Sequence, residues 1–166
     1  EKVMLIAQSQ LGYTESSVNF QVDANGVRRG ITRYGQWYGN PYGDWSAMFV
    51  SFCLEYAGAD SVPTNAGVEA MRLEWESAKL YADAKSKEPE IGNLVFLRKD
   101  ANAKVANSVA IITGIDQNTI TVIAGDVDNA VAEISYGLND SAILGYGLTP
   151  EKRLKLMAAA APKAPS

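Results

Sequence analysis

Ser46 sits where a nucleophile would be useful, at the first turn of the most strongly patterned helix in the chain. Unpaired backbone N–H groups and the helix dipole favour negative charge at such a position. A cysteine placed there has its thiol pKa lowered, whereas a serine needs a neighbouring base to take its proton. Ser108 opens a β-rich run further along, and Ala124 and Asp126 follow across an expected hairpin. None of these is an efficient base at neutral pH, and the 166 residues contain no histidine at all. Hydrolysis through a histidine general base is therefore excluded. An unperturbed carboxylate, with a pKa near 4, activates an alcohol only weakly, so a pair made of Ser46 and Asp126 is a poor substitute. Taken singly, Ser46 also reads as an ordinary helix-start serine, and Ser108 and Ala124 as plain strand residues.

Several elements must position these residues. Val3, Met4, Ile6, Ala7 and Leu11 recur at helical spacing over residues 2–11, before Gly12. Residues 12–44 read as irregular. Trp45, Phe49, Phe52, Cys53 and Tyr56 share one helical stripe, with Asp44 as the expected N-cap and Gly58 as the stop. That stripe makes Cys53 a core residue rather than a nucleophile. A third helix is expected from Gly67 to Lys79 on Val68, Met71 and Trp75. Strands are expected at Asn93–Leu97, Ser108–Thr113, Thr119–Ala124, Ala130–Tyr136 and Ile143–Gly147, with residues 114–118 as a hairpin loop. Helices first and an antiparallel sheet of about five strands afterwards define an α+β domain.

The segments "TRYGQWYGNPYGDWSAMFVSFCLEYAG", "IGNLVFL", "SVAIITGIDQNTITVIAGD" and "SAILGYG" resemble the CHAP domain. That family has a papain-like fold related to the NlpC/P60 peptidases, and its members are amidases or endopeptidases of bacterial peptidoglycan. The resemblance implies a CHAP-like domain over residues 1–149. It also maps the family's catalytic cysteine onto Ser46, its histidine onto Ser108, the acidic residue that orients the histidine onto Ala124, and a nearby asparagine onto Asp126. All four polar positions depart from the family pattern while the framework around them is kept. Catalytic residues are thus expected to be absent, and the domain is expected to be a pseudoenzyme kept for binding. An inactivated mutant of a working hydrolase would explain Ser46 but not the other three. A weak serine hydrolase running on Ser46 is the remaining alternative.

Trp37, Tyr38, Tyr42, Asp44 and Trp45 flank the nucleophile position and are the candidates for lining a peptide or glycan groove. The aromatic ones could equally pack the 12–44 segment onto the helix. If exposure separates them, Trp37 and Tyr38 are the better groove candidates.

Net charge is −4, so no basic footprint for nucleic acid is present. No apolar run reaches the roughly 18–20 residues that cross a bilayer, and membrane insertion is not expected. A single cysteine leaves no internal disulfide, and no cofactor or metal is expected: Asp116, Asp126, Asp128 and Asp140 do not have EF-hand spacing and read as solvated loop charge. The expected partner is a peptidoglycan stem peptide or another extracellular protein, and the resemblance implies an extracellular or cell-surface bacterial location. Glu1 in place of a methionine and the Ala/Pro-rich 150–166 segment lead us to expect a short helical turn, a linker and adjacent modules.

Overall fold

The computed structural model describes residues 2–59 and 61–150, so the expected helical turn and linker of 150–166 lie essentially outside the described residues. Helix α1 (Lys2–Ser9) buries Val3 and Ala7. A short antiparallel hairpin, β1 (Phe20–Val22) and β2 (Arg28–Gly30), follows. Helix α2 (Arg33–Tyr38) begins with the Thr32 hydroxyl accepting the Gly35 N–H and ends at Gly39, whose φ of 99° is a left-handed stop. The 12–44 segment is thus not irregular throughout. A six-residue helix interrupted by Gly35 is too short for apolar spacing to betray it, and only its Thr and Gly boundaries are signals.

Helix α3 (Ser46–Tyr56) is the centre of the domain. Every residue from Ala47 to Leu54 is buried, as expected of a helix apolar on all sides. Its N-cap is Trp45, with no side-chain cap of its own, and not the expected Asp44; the Asp44 side chain turns outward to pair with Arg29 on β2. Helix α4 (Val68–Ser77) buries Met71 and Trp75, and the Trp75 indole N–H donates to the Pro63 carbonyl at 2.9 Å.

The sheet contains β3 (Tyr81–Asp83), β4 (Leu94–Leu97), β5 (Ser108–Ile115), β6 (Thr119–Val127), β7 (Ala130–Gly137) and β8 (Ile143–Gly147). Its order is β3-β8-β4-β5-β6-β7, with antiparallel neighbours throughout. The architecture is α+β. The strand additional to the expected five is β3, a three-residue edge strand too short to leave an alternating pattern. Between β6 and β7, Asp128 and Asn129 both have positive φ (49° and 66°), which matches a tight type I′ turn.

Alternation along the strands divides the core in two. Val109, Ile111 and Ile123 pack with α3 and its neighbours, whereas Ala110, Ile112, Val122 and Ala124 belong to a second cluster with Val95, Leu97 and Tyr146. Gly125 marks the closest approach of β6 to α3. A Cβ there would lie 2.6 Å from Phe49 Cβ and 3.0 Å from the Trp45 ring. Gly125→Ala should therefore destabilise the fold by about 1–3 kcal/mol through overpacking. Urea denaturation followed by tryptophan fluorescence checks this; an unchanged midpoint would show that α3 is not clamped to β6 there.

Candidate functional site

The first turn of α3, the start of β5, the end of β6 and the approach to α4 meet around a groove of about 640 Å³. Ser46, Ser108 and Asp126 all line it, together with Asp44, Glu69 and Asn107. Ser46 and Ser108 are sixty-two residues apart in sequence, yet their hydroxyl oxygens lie 3.4 Å from each other. The Ser46 Oγ accepts the Val109 N–H at 3.0 Å and can donate to the Val109 carbonyl at 3.3 Å. One hydroxyl therefore ties the helix start to the first residues of β5 by donating and accepting at once.

A bulge brings Asp126 to the same helix end. The β6–β7 register shifts between Ala124 and Val127, and Asp126 takes a φ of 60°, a left-handed conformation that aspartate tolerates better than most residues. Its Oδ2 accepts the Trp45 N–H at 3.2 Å. A carboxylate from a distant strand thus caps α3 in place of a local side chain. Burial pushes the Asp126 carboxyl above its ordinary value of 3.8, against the lowering effect of the Trp45 N–H; neighbouring Asp44 and Glu15 push the same way as burial and Arg29 opposes them. Asp126 is therefore a structural group at the groove's edge, not only solvated loop charge.

The wall beside it is equally tied down. Glu15 accepts the Trp45 indole N–H at 2.9 Å with one oxygen and the Gly30 N–H at 2.8 Å with the other. Arg29 pairs with Asp44 and, at 3.1 Å, with Asp23. These contacts fix the β1–β2 hairpin against the start of α3.

The remaining sequence candidates fall elsewhere. Ala124 is paired with Ala110 and is 1% exposed; since Gly125 faces α3, Ala124 points to the opposite face of the sheet, away from the groove. Trp45 is also 1% exposed, stacked on Tyr34 in the core. Trp37 and Tyr38 are not the exposed groove residues expected from the sequence: both are half-buried and packed on the core, Trp37 edge-on against Phe52. Tyr42 donates its hydroxyl to Asn19 at 2.7 Å. Of the five groove candidates only Asp44 lines the cavity. Flat aromatic rings close to a helix start were needed for packing, and composition alone does not distinguish that use from ligand contact. Cys53 is fully buried, and burial pushes its thiol well above the ordinary range.

Glu69 is the groove residue that sequence reasoning missed. It accepts two hydrogen bonds from Arg72, at 2.7 and 2.6 Å, and the Ala106 N–H at 2.8 Å. The Arg72 hydrogen bond and, less strongly, that from Ala106 hold its carboxyl below 4.5. Its i,i+3 spacing to Arg72 was the available signal, but such pairs are common on any helix surface. Among the described residues no three of His, Cys, Asp or Glu gather in a way that could hold a metal ion, and no helix is long and apolar enough to cross a membrane.

No family model and no curated protein matches this chain. Solved structures do share its fold. The crystal structure of Ly7917 aligns over 90% of this chain and 61% of its own, with a TM-score of 0.56 and 12% identity. The crystal structure of Ly7917 with the hydrolyzing product of MDP aligns over 90% and 62%, with a TM-score of 0.52 and the same 12% identity. This chain thus spans less than two thirds of the length of these structures. At that identity the likeness establishes the common chain path and nothing about activity.

The cap on α3 can be tested through pH. Because the folded-state pKa of Asp126 is raised, its ionised form weakens folding at neutral pH, and the penalty fades as pH falls through that raised value. Asp126→Asn keeps the acceptor without the charge. It should match or exceed the parent's stability at pH 7, with the difference vanishing in acid. Asp126→Ala removes the acceptor and should cost about 1 kcal/mol in acid, and less at pH 7, where it also relieves the charge penalty. Chemical denaturation at the two pH values reads both; equal losses for Asn and Ala would rule out the capping role.

Proposed function

We propose that this chain is a catalytically silent CHAP-like domain with a papain-like fold, kept as a binding module whose groove takes a peptide of the bacterial cell wall. The observation that carries the reading is the approach of Ser46 to Ser108 across sixty-two residues, with 3.4 Å between their oxygens. These are the positions at which the family resemblance places a thiol and an imidazole, and each holds a hydroxyl. Among the described residues the Ser46 oxygen hydrogen-bonds only with Ser108 and the Val109 backbone, none of which can act as a base near neutrality. Removing members of such a catalytic set costs orders of magnitude in rate, and what survives is the binding groove.

Other features support the ligand class. Ly7917, which shares the chain path, has been solved with the hydrolyzing product of MDP. The groove here is of ordinary size for a small ligand. Its walls are held by the Asp126, Glu15 and Glu69 hydrogen bonds, so it needs little reordering when it fills. The serine hydrolase alternative gains nothing from the geometry, because among the described residues no hydrogen bond joins the Ser46 hydroxyl to the Asp126 carboxylate, which accepts the Trp45 N–H instead. On this reading the domain works at the cell surface or outside the cell.

An NMR titration of the labelled chain with MDP and with a soluble stem peptide tests the proposal. Saturable shifts at Ser46, Gly67–Glu69 and Asn107–Val109 are expected, with the ligand recovered intact. No shifts with either fragment would sink the groove-binding reading. Cleaved ligand, or labelling of Ser46 by a fluorophosphonate, would overturn the claim of catalytic silence.

A further inference from the structure

A second cavity, of about 840 Å³, lies where the β3–β4 connection, the start of the β4–β5 loop and the β7–β8 turn converge. Its chemistry differs from that of the groove. The groove is lined by Asp44, Glu69 and Asp126 without a single Lys or Arg, whereas Lys85, Lys87 and Arg98 face this cavity. The two share one wall: Arg98 and Ala101, at the beginning of the β4–β5 loop, line the basic cavity, and Ala106 and Asn107, at its end, line the groove.

The cations are presented by local structure. Asp83 organises the turn that carries the two lysines, since its side chain accepts the Lys85 N–H at 3.1 Å and its carbonyl the Ser86 N–H at 2.9 Å. Arg98 spans two loops, donating its Nε–H to the Ser141 carbonyl at 2.7 Å and its Nη1–H to the Ala103 carbonyl at 3.2 Å. Two backbone carbonyls thus fix the plane of the guanidinium without neutralising it, and they leave part of its five-donor fork unused. The ion pairs among the described residues involve only Arg29 and Arg72. All three cations of the cavity are therefore without a carboxylate partner there. Two acids share its lining, Glu88 and Asp140. The Asp140 side chain accepts the Ala142 N–H at 2.8 Å with one oxygen and keeps its charge, so both acids compete with an anion and the three cations outnumber them by one.

We propose that this cavity is a binding site for an oxyanion, a phosphate or carboxylate group carried by a ligand, held by Lys85, Lys87 and the oriented guanidinium of Arg98. The net charge of −4 means that the whole-molecule field repels anions. Selectivity must come from short charge-assisted hydrogen bonds inside the cavity. A fixed arginine plane with two exposed lysines suits the tetrahedral, multiply charged phosphate better than a single carboxylate. The site is independent of the groove and does not rest on the function proposed for it.

Titration of the labelled chain with inorganic phosphate, acetate or chloride at constant ionic strength tests the assignment. Phosphate should give saturable shifts confined to residues 84–88, Arg98 and residues 138–143. Acetate should produce the same pattern at higher concentration, and chloride none. The double variant Lys85→Gln/Lys87→Gln changes exposed side chains and should retain the fold, with phosphate affinity falling about tenfold, the equivalent of 1.4 kcal/mol. Acetate binding more tightly than phosphate would reassign the ligand to a carboxylate and overturn the preference argued from Arg98. Equal shifts with all three salts, or unchanged affinity in the double variant, would overturn the site itself.

Discussion

Two strands hold the first turn of one buried helix, and the groove depends on how they do it. From β5, the Val109 N–H donates to the Ser46 hydroxyl. From the bulged end of β6, the Asp126 carboxylate accepts the Trp45 N–H. A helix start leaves its N–H groups without intrahelical partners, and buried ones must be satisfied by something. Here the Trp45 N–H finds its acceptor on β6, while the Ser46 hydroxyl serves the Val109 backbone of β5, so the helix start also fixes where β5 begins and β6 ends around the groove. Gly125 sets the spacing, because only a residue without a side chain lets β6 approach Phe49 and Trp45 so closely.

The same constraint explains which parts of the fold were legible in the sequence. Helix α3 could be read from its run of apolar residues between Trp45 and Gly58, although burial extends to every residue from Ala47 to Leu54 and not only to the expected stripe, whose last member Tyr56 is exposed. Its cap could not: Asp44 is the obvious local candidate, but the true acceptor is Asp126, eighty-one residues away. That pairing exists only once the bulge turns Asp126 toward the helix, and no local rule anticipates it. Tyr34 and Trp45 pose the opposite problem, since aromatic rings near a helix start suit either a groove or a core. Stacking at 5.4 Å places both inside the core. Strand β3 and helix α2 escaped because three and six residues are too few to display a period.

The site itself was legible in part. Ser46, Ser108 and Asp126, grouped beforehand only by the family resemblance, line one cavity. Ala124 does not join them, because one step along a strand reverses the face a side chain occupies, and position 125 is the one that meets α3. An acidic residue at 124 would therefore have to act around the strand's end rather than directly across the groove. Hydroxyls at 46 and 108 preserve a bonded junction between helix and strand while offering no base.

Central to the proposed function is that positions 46 and 108 form the nucleophile–base pair of this scaffold in location though not in chemistry. The thiol pKa of Ser46→Cys, measured with and without Ser108→His, tests this most directly; Cys53 is buried and should not react on the same timescale. A thiol at the start of α3 should titrate below the unperturbed value of about 8.5, and further below once the imidazole is introduced. A thiol at position 46 that titrates at or above that value, indifferent to an imidazole at position 108, would contradict it.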